Sequence, residues 1–337
     1  MNIELLKKVG NVEQLAGIRE AQLLRGRGQG IRMAEFHNAA GLRFSVMPDR
    51  CMDLYDLSYK GVNLAFLGKN GLSSPHAFNP FDSEFTEQWA AGALVTCGLD
   101  NVGDQAVQGG NYPTHGRISN IPASSFGTTA RWEGDRYMLR AEGEVHQAQI
   151  FGRHLSLRRT IETGMDEKII RFRDVITNHE AEDEPYMLLY HFNFGYPLLQ
   201  GDSLVRTTKM LQSPAIEGSA DSIHMTEPED GRPQELFFNE TQSGDRACGV
   251  LYNERLELGV YVAYDTKNLP NFFQWKYMKS HDYVAALEPC NVTPLNRDDA
   301  AAAGKLAVLP AYSSVTNEIE LGVLDGLQEI REFIANL

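Results

Sequence analysis

The sequence has little cysteine, no basic patch and no long apolar run, and each shortage removes a class of function. Its four cysteines, Cys51, Cys97, Cys248 and Cys290, are scattered and form no CxxC pair, so neither a zinc ribbon nor a thiol redox motif is indicated. They read as buried reduced thiols of a cytosolic protein. Lysine and arginine number 31 against 45 aspartates and glutamates, giving a net charge of −14. Binding nucleic acid through phosphate neutralisation needs a clustered basic surface, and none is visible. Residues 1–10 lack the basic start and apolar core of a signal peptide, and no apolar run approaches membrane-spanning length. The expectation is therefore a cytoplasmic protein with no membrane or nucleic-acid partner. Neither a GxGxxG fingerprint nor a phosphate loop is present, and no cofactor is expected.

What is present is the composition of a globular protein, 337 residues with 42% hydrophobic and 23% charged. A short helix is expected over Ile3–Val9, with Glu13–Ile18 continuing it. From Gly30 onward the texture is one of strands and turns. Ile31–Phe36 and Leu42–Val46 flank a hairpin turn at Asn38-Ala39-Ala40-Gly41. Tyr137–Val145, His154–Ile161 and Lys168–Thr177 are successive strand-like runs, and a further hairpin joins Ala247–Tyr252 to Leu256–Tyr264. Tyr283–Leu287, Leu306–Leu309 and Ser313–Leu321 continue the pattern, and only Asp325–Leu337 again reads as helix. Many strands, few helices and no βαβ rhythm predict an all-β fold, a large antiparallel sandwich with short terminal helices. One domain over 1–337 is expected, with a sandwich core at about 25–322. Residues 70–125 are rich in Gly, Pro, Asn and Ser, a long loop of the kind that tends to be functional.

Three segments place ionisable residues where a water-facing loop does not explain them. On a strand through Tyr186–Phe194, Met187, Leu189, His191 and Asn193 point one way and the intervening residues the other. Both faces are apolar, so His191 and Asn193 need partners or a cavity. Glu288 closes the apolar run Tyr283–Leu287 before Pro289; it is either a partly desolvated general base or a strand-end carboxylate in water. His115 lies in a glycine-rich segment with Arg117, which has several donors for hydroxyl oxygens. Arg50 and Asp53 either grip a polar ligand or pair with each other. His115, His191 and Glu288 fit a His2Glu zinc site only in residue type, since there is no HExxH and no closely spaced His pair. No metal is expected.

At these residues the chain resembles the aldose 1-epimerase (galactose mutarotase-like) superfamily, and more closely a bacterial branch of it. Thr114-His115-Gly116 is similar to a glycine-bordered family His. Tyr190-His191-Phe192-Asn193-Phe194 is similar to the strand carrying the catalytic His, without its leading Asn and with shorter spacing. Glu288 in Ala286-Leu287-Glu288-Pro289 looks like the late catalytic glutamate. The family's Asn-Arg sugar-binding pair has no clean match, and Leu99-Asp100-Asn101-Val102 offers only Asn101. The resemblance implies a β-supersandwich with a carbohydrate-binding groove, and an isomerase that interconverts sugar anomers by ring opening and reclosure. It implies Glu288 as base and His191 as acid, with His115 on the ring oxygen or a neighbouring hydroxyl. Arg50, Asp53, Arg117 and Trp275 look peculiar to this branch and are expected, with Asn101 and Asn193, to border the same cleft as substrate-binding residues. The expected partner is a monosaccharide or sugar derivative; a homodimer is left open. The alternatives are a non-catalytic carbohydrate-binding or regulatory protein, and another sugar epimerase, isomerase or lyase on the same scaffold.

Overall fold

A computed structural model describes residues 5, 7–77, 79, 84–108, 110–208, 211–212, 221–240 and 246–337. Among these the architecture is all-β and antiparallel, in three sheets of five, eight and seven strands. The small sheet is a meander from Gly17–Gln22 to Val62–Asn63. The eight-stranded sheet runs Leu204–Thr207, Arg246–Asn253, Leu258–Asp265, Ser314–Asp325, Ile169–Asn178, His154–Gly164, Arg136–Ala148, Ser125–Glu133. The third sheet has Glu235–Glu240, Asn271–Lys279, Asp282–Cys290 and Glu184–Phe194 as successive neighbours, with Leu94–Leu99 paired to the last of these.

The expected hairpins form in register, including Phe36 opposite Phe44 and Val250 opposite Tyr261. One large apolar cluster joins the sheets, with Phe172 edge-on to Phe192 at 6.0 Å and Tyr264 stacked on Phe272 at 6.1 Å. The alternation read in Tyr186–Phe194 sets the faces. Tyr186, Leu188, Tyr190, Phe192 and Phe194 enter this main cluster, while Met187 and Leu189 join a second one with Val95, Cys97, Phe273 and Cys290.

Two expectations are corrected. Glu13–Ile18 does not continue a helix: the Asn11 side chain caps a three-residue 3-10 turn, Val12–Gln14. The chain then enters Gly17–Gln22, which pairs with Arg32–His37, so sheet pairing overrides a weak helical pattern. Residues 70–125 are not one long loop, because they contain the buried strand Leu94–Leu99. Residues 3, 4 and 6 of the helix expected over Ile3–Val9 lie outside the described residues; in the rest the Lys8 and Val9 N–H groups both donate to the Leu5 carbonyl, at 2.9 and 3.1 Å. The helix at the other terminus, Leu327–Ala335, is present, and no described helix is long and apolar enough to cross a membrane.

Candidate functional site

Strand register builds the centre of the site. Leu189 pairs with Cys290 and Phe192 with Leu287, which sets His191 directly across from Glu288. On either side Val95 lies opposite His191 and Phe273 opposite Glu288, so one row crosses four strands of the sheet. All four side chains point away from the main cluster, since they alternate with Thr96, Tyr190, Leu287 and Phe272. The imidazole and carboxyl therefore meet because directly opposed residues on one face are neighbours.

His191 Nε2 lies 3.4 Å from Glu288 Oε1, and both residues are almost completely buried. Burial pushes the Glu288 carboxyl up to about 8. Burial, with His115 beside it, holds the His191 imidazole well below 6.5. At neutral pH the pair is thus a protonated carboxyl beside a neutral imidazole, although its spacing meets an ion-pair distance. Desolvation of both groups opposes charge separation, and among the described residues no ion pair joins either group to a third charge. Glu288 Oε1, His191 Nδ1 and Asn193 Oδ1 are buried without a hydrogen-bond partner. Each such orphan costs about 1–3 kcal/mol unless something polar binds there.

Aromatic rings close over the pair. His191 has Trp89, Trp275 and His115 around it at centroid distances of 5.5, 5.6 and 5.7 Å, and Phe85 packs against His115 at 5.3 Å. Trp89 and Phe85 come from the 70–125 segment and were not among the residues singled out for binding. In sequence Trp89 is marked only as the one tryptophan of that segment, which also carries Phe78, Phe81, Phe85 and Tyr112. Trp275 is held by its indole N–H, which donates to Gln234 Oε1 at 3.0 Å.

His115 is presented by a strained turn, with φ of 56° at His115 and 73° at Gly116. A Cβ on Gly116 would lie 2.3 Å from the Gly98 carbonyl oxygen, so only glycine fits this close approach. The Gly103 N–H donates to His115 Nδ1 at 3.4 Å, which leaves the proton of a neutral ring on Nε2. Burial pushes this imidazole down to about 4.

The other expected binding residues are not brought to the pair in the same way. Asp53 faces the opposite side of the sheet, where it accepts from Thr96 N–H and Oγ1 at 2.9 and 2.6 Å and from Arg159 Nη1 at 2.9 Å. Arg159 in turn forks onto Asp174, forming a buried ionic cluster behind the site. The Arg50 guanidinium does not reach the Asp53 carboxylate, although the Asp53 N–H donates to the Arg50 carbonyl at 2.9 Å; it donates instead to the Ser73 carbonyl at 2.7 Å and to Asn120 Oδ1 at 2.9 Å. Ser73 Oγ reaches the Gln88 carbonyl at 3.3 Å, so Arg50 braces the segment that carries Trp89. Asn101 ties loops together, donating to the Asp104 and Pro113 carbonyls and accepting from Arg297 N–H. Arg117 is engaged by Asp100 and by the Asn111 carbonyl. Asn193 donates to the Gly92 and His191 carbonyls at 3.0 and 2.9 Å, leaving its carbonyl oxygen as the orphan named above.

Two open clefts lie elsewhere, one of about 480 Å³ around Glu35, His37 and Arg43, the other of about 420 Å³ around Glu162, Arg171 and Glu320. The first includes Asp56, whose carboxyl is raised by burial and accepts from Ser45 Oγ at 2.9 Å, but its one imidazole, His37, instead contacts the Glu13 carbonyl at 2.8 Å; the second has no imidazole in its lining.

Residues 28–323 match the family model described as a domain of unknown function (DUF4432). No curated protein matches the sequence. Among solved structures, the chain is similar to a "putative aldose 1-epimerase" from Klebsiella pneumoniae subsp. pneumoniae MGH 78578, with TM-score 0.88 and 19% identity over 97% of this chain and 90% of that one. It is similar to a galactose mutarotase-like protein from Clostridium acetobutylicum, with TM-score 0.61 and 13% identity over 93% and 99% of the two chains. A galactose 1-epimerase from Lactobacillus acidophilus NCFM gives TM-score 0.59 and 10% identity over 92% and 99%. At such identities the likeness is one of fold, and the fold is galactose mutarotase-like, as the sequence resemblance implied.

Proposed function

The chain belongs to the DUF4432 family, and for it we propose an aldose 1-epimerase-like activity centred on His191 and Glu288. The observation that carries this reading is the clustering of three buried, unpartnered polar atoms, on His191, Glu288 and Asn193, beneath an aromatic wall. A sugar supplies what this place lacks: hydroxyls for the orphaned atoms and an apolar ring face for Trp89 or Trp275.

Opening a cyclic hemiacetal needs a base for the anomeric hydroxyl proton and an acid for the ring oxygen. Glu288 acts as base and His191 as acid. Rotation about the C1–C2 bond and reclosure, with the two roles exchanged, give the other anomer. The reaction needs one proton on the pair. The free site holds it on Glu288; sugar hydroxyls donating to the carboxylate lower the cost of placing it on His191. Both arrangements carry the same number of protons, so the pair behaves as a unit. His115, neutral and with its Nε2 proton, positions the ring oxygen or a neighbouring hydroxyl.

The test is saturation-transfer NMR on a panel of free aldoses and ketoses, with and without protein. Accelerated anomeric exchange of one of them supports the proposal. Binding without exchange of any of them would move the reading to a carbohydrate-binding protein or another sugar enzyme.

A further inference from the structure

Three histidines that the acid–base site does not use meet on the outer face of the eight-stranded sheet. His146 lies on Arg136–Ala148, His154 begins His154–Gly164, and His179 follows Ile169–Asn178. The register places His146 opposite Ser156 and His154 opposite Ala148, while the His179 N–H donates to the His154 carbonyl at 3.0 Å. Three neighbouring strand ends therefore deliver one imidazole each to the same spot. Spacings of eight and twenty-five residues hide this cluster from a reading of local motifs.

The geometry is that of a ligand set. One nitrogen from each ring lies within 4.8 Å of the others, and His146 Nδ1 is 3.0 Å from His154 Nε2. Two nitrogens on a tetrahedral zinc ion stand about 3.3 Å apart, given Zn–N bonds of about 2.0–2.1 Å. The closest pair is thus near coordination spacing, and the His179 nitrogen lies within 4.8 Å of both. Outer partners are also in place. Glu144 Oε2 lies 3.6 Å from His146 Nε2, the nitrogen turned away from the cluster, and Ser156 Oγ contacts His179 Nε2 at 2.8 Å. A carboxylate behind a ligating imidazole orients the ring and raises its basicity.

We propose that His146, His154 and His179 form a binding site for a first-row divalent transition ion, Zn²⁺ foremost, with water completing the coordination. Three neutral nitrogen donors favour Zn²⁺, Co²⁺, Ni²⁺ or Cu²⁺ over Mg²⁺ and Ca²⁺, which need oxygen ligands. The ion would tie His179 to the tip of the hairpin that carries His146 and His154, whose two strands are joined by the turn in which Gln149 N–H donates to the Arg153 carbonyl at 2.9 Å. This site is independent of the His191–Glu288 reading and stands or falls without it.

The experiment titrates the tag-free full chain with Co²⁺ and follows its visible d–d absorption, then displaces Co²⁺ with Zn²⁺. The expected result is a signal that saturates at one equivalent and is lost in His154→Gln and His146→Gln, but is retained in His191→Asn. Glu144→Gln should weaken binding about 10–100-fold. Zn²⁺ should also raise the melting temperature of the parent by mass action, and not that of His154→Gln. In case a variant does not fold, imidazole ¹⁵N shifts of the parent on adding Zn²⁺ decide the matter, and they should move at His146, His154 and His179. Absence of a one-equivalent signal, equal binding by parent and His154→Gln, or ¹⁵N shifts confined to other histidines would overturn the proposal.

Discussion

Tyr190 and His191 are consecutive on one strand and anchor its two faces: the Tyr190 hydroxyl donates to Asp174 Oδ2 at 2.8 Å, while His191 Nε2 stands 3.4 Å from Glu288 Oε1. The buried cluster of Arg159, Asp53, Asp174 and Thr96 thus holds the back of the strand whose front carries the candidate acid–base pair. Arg159→Met leaves two carboxylates buried without their shared cation, and should cost about 3–5 kcal/mol. Urea denaturation measures it; a change under about 1 kcal/mol would mean that the cluster is not what secures the strand.

Glu288 should make the protein less stable as pH rises. Its folded pKa is about 8 against an ordinary 4.5, so between those values the folded chain keeps a proton that the unfolded chain releases. Stability then falls with increasing pH across that window, with a slope approaching about 1.4 kcal/mol per pH unit. Glu288→Gln should match the parent near pH 4.5 and exceed it at pH 8.5. His115, pushed down to about 4, acts in the opposite sense, and its contribution is lost as pH falls from 6.5 towards 4. Denaturation at several pH values checks both signs.

Much of this arrangement was legible in the residues. Alternation in Tyr186–Phe194 assigned each side chain to a face, and an apolar run ending in a glutamate marked Glu288. Cross-strand register was not legible, because which residue of Asp282–Cys290 faces His191 is a non-local property. The strand Leu94–Leu99 was hidden because it is buried throughout and so shows no alternation among loop-like neighbours. Arg50 and Asp53 lie three positions apart, which suggested a pair, yet the cation bonded to Asp53 is Arg159, 106 residues away. Proximity in sequence misled there; burial of a carboxylate guaranteed a partner without naming it.

Gly116→Ala should dislodge His115. The added Cβ would meet the Gly98 carbonyl oxygen at 2.3 Å and impose a side chain at a φ of 73°. The His115 carbonyl also accepts from Gly98 N–H at 3.0 Å, so the clash is transmitted directly to the His115 turn. A loss of about 3 kcal/mol or more is expected, together with reduced anomeric exchange. Gly127→Ala, with open space around its added Cβ, is the control and should leave exchange unchanged.

Anomeric exchange should fall as pH rises through about 8, where the pair loses its one proton. The acid limb should lie well below 6.5, because burial holds the second proton off His191. A flat profile between pH 7 and 9.5 would separate the rate from the Glu288 ionisation.

Binding and chemistry should come apart in two variants. Glu288→Gln keeps the size of the side chain and its capacity to bond hydroxyls, but the amide cannot take the anomeric proton. Sugar affinity should therefore stay close to that of the parent, while exchange falls about 10²–10⁴-fold. His191→Asn removes ring-oxygen protonation and should fall in the same range. Trp89→Ala leaves both acid–base groups in place and removes a wall that stands 5.5 Å from the His191 ring and 6.1 Å from Trp275. It should weaken sugar binding, by roughly the 0.5–1.5 kcal/mol that an aromatic contact contributes. Its exchange rate at saturating sugar should stay within about tenfold of the parent. NMR line shapes of a bound sugar give affinity, and saturation transfer gives exchange, in the same sample. If Glu288→Gln exchanged anomers at the parent rate, the carboxyl would not be the base, and the acid–base assignment would fail while the fold stood.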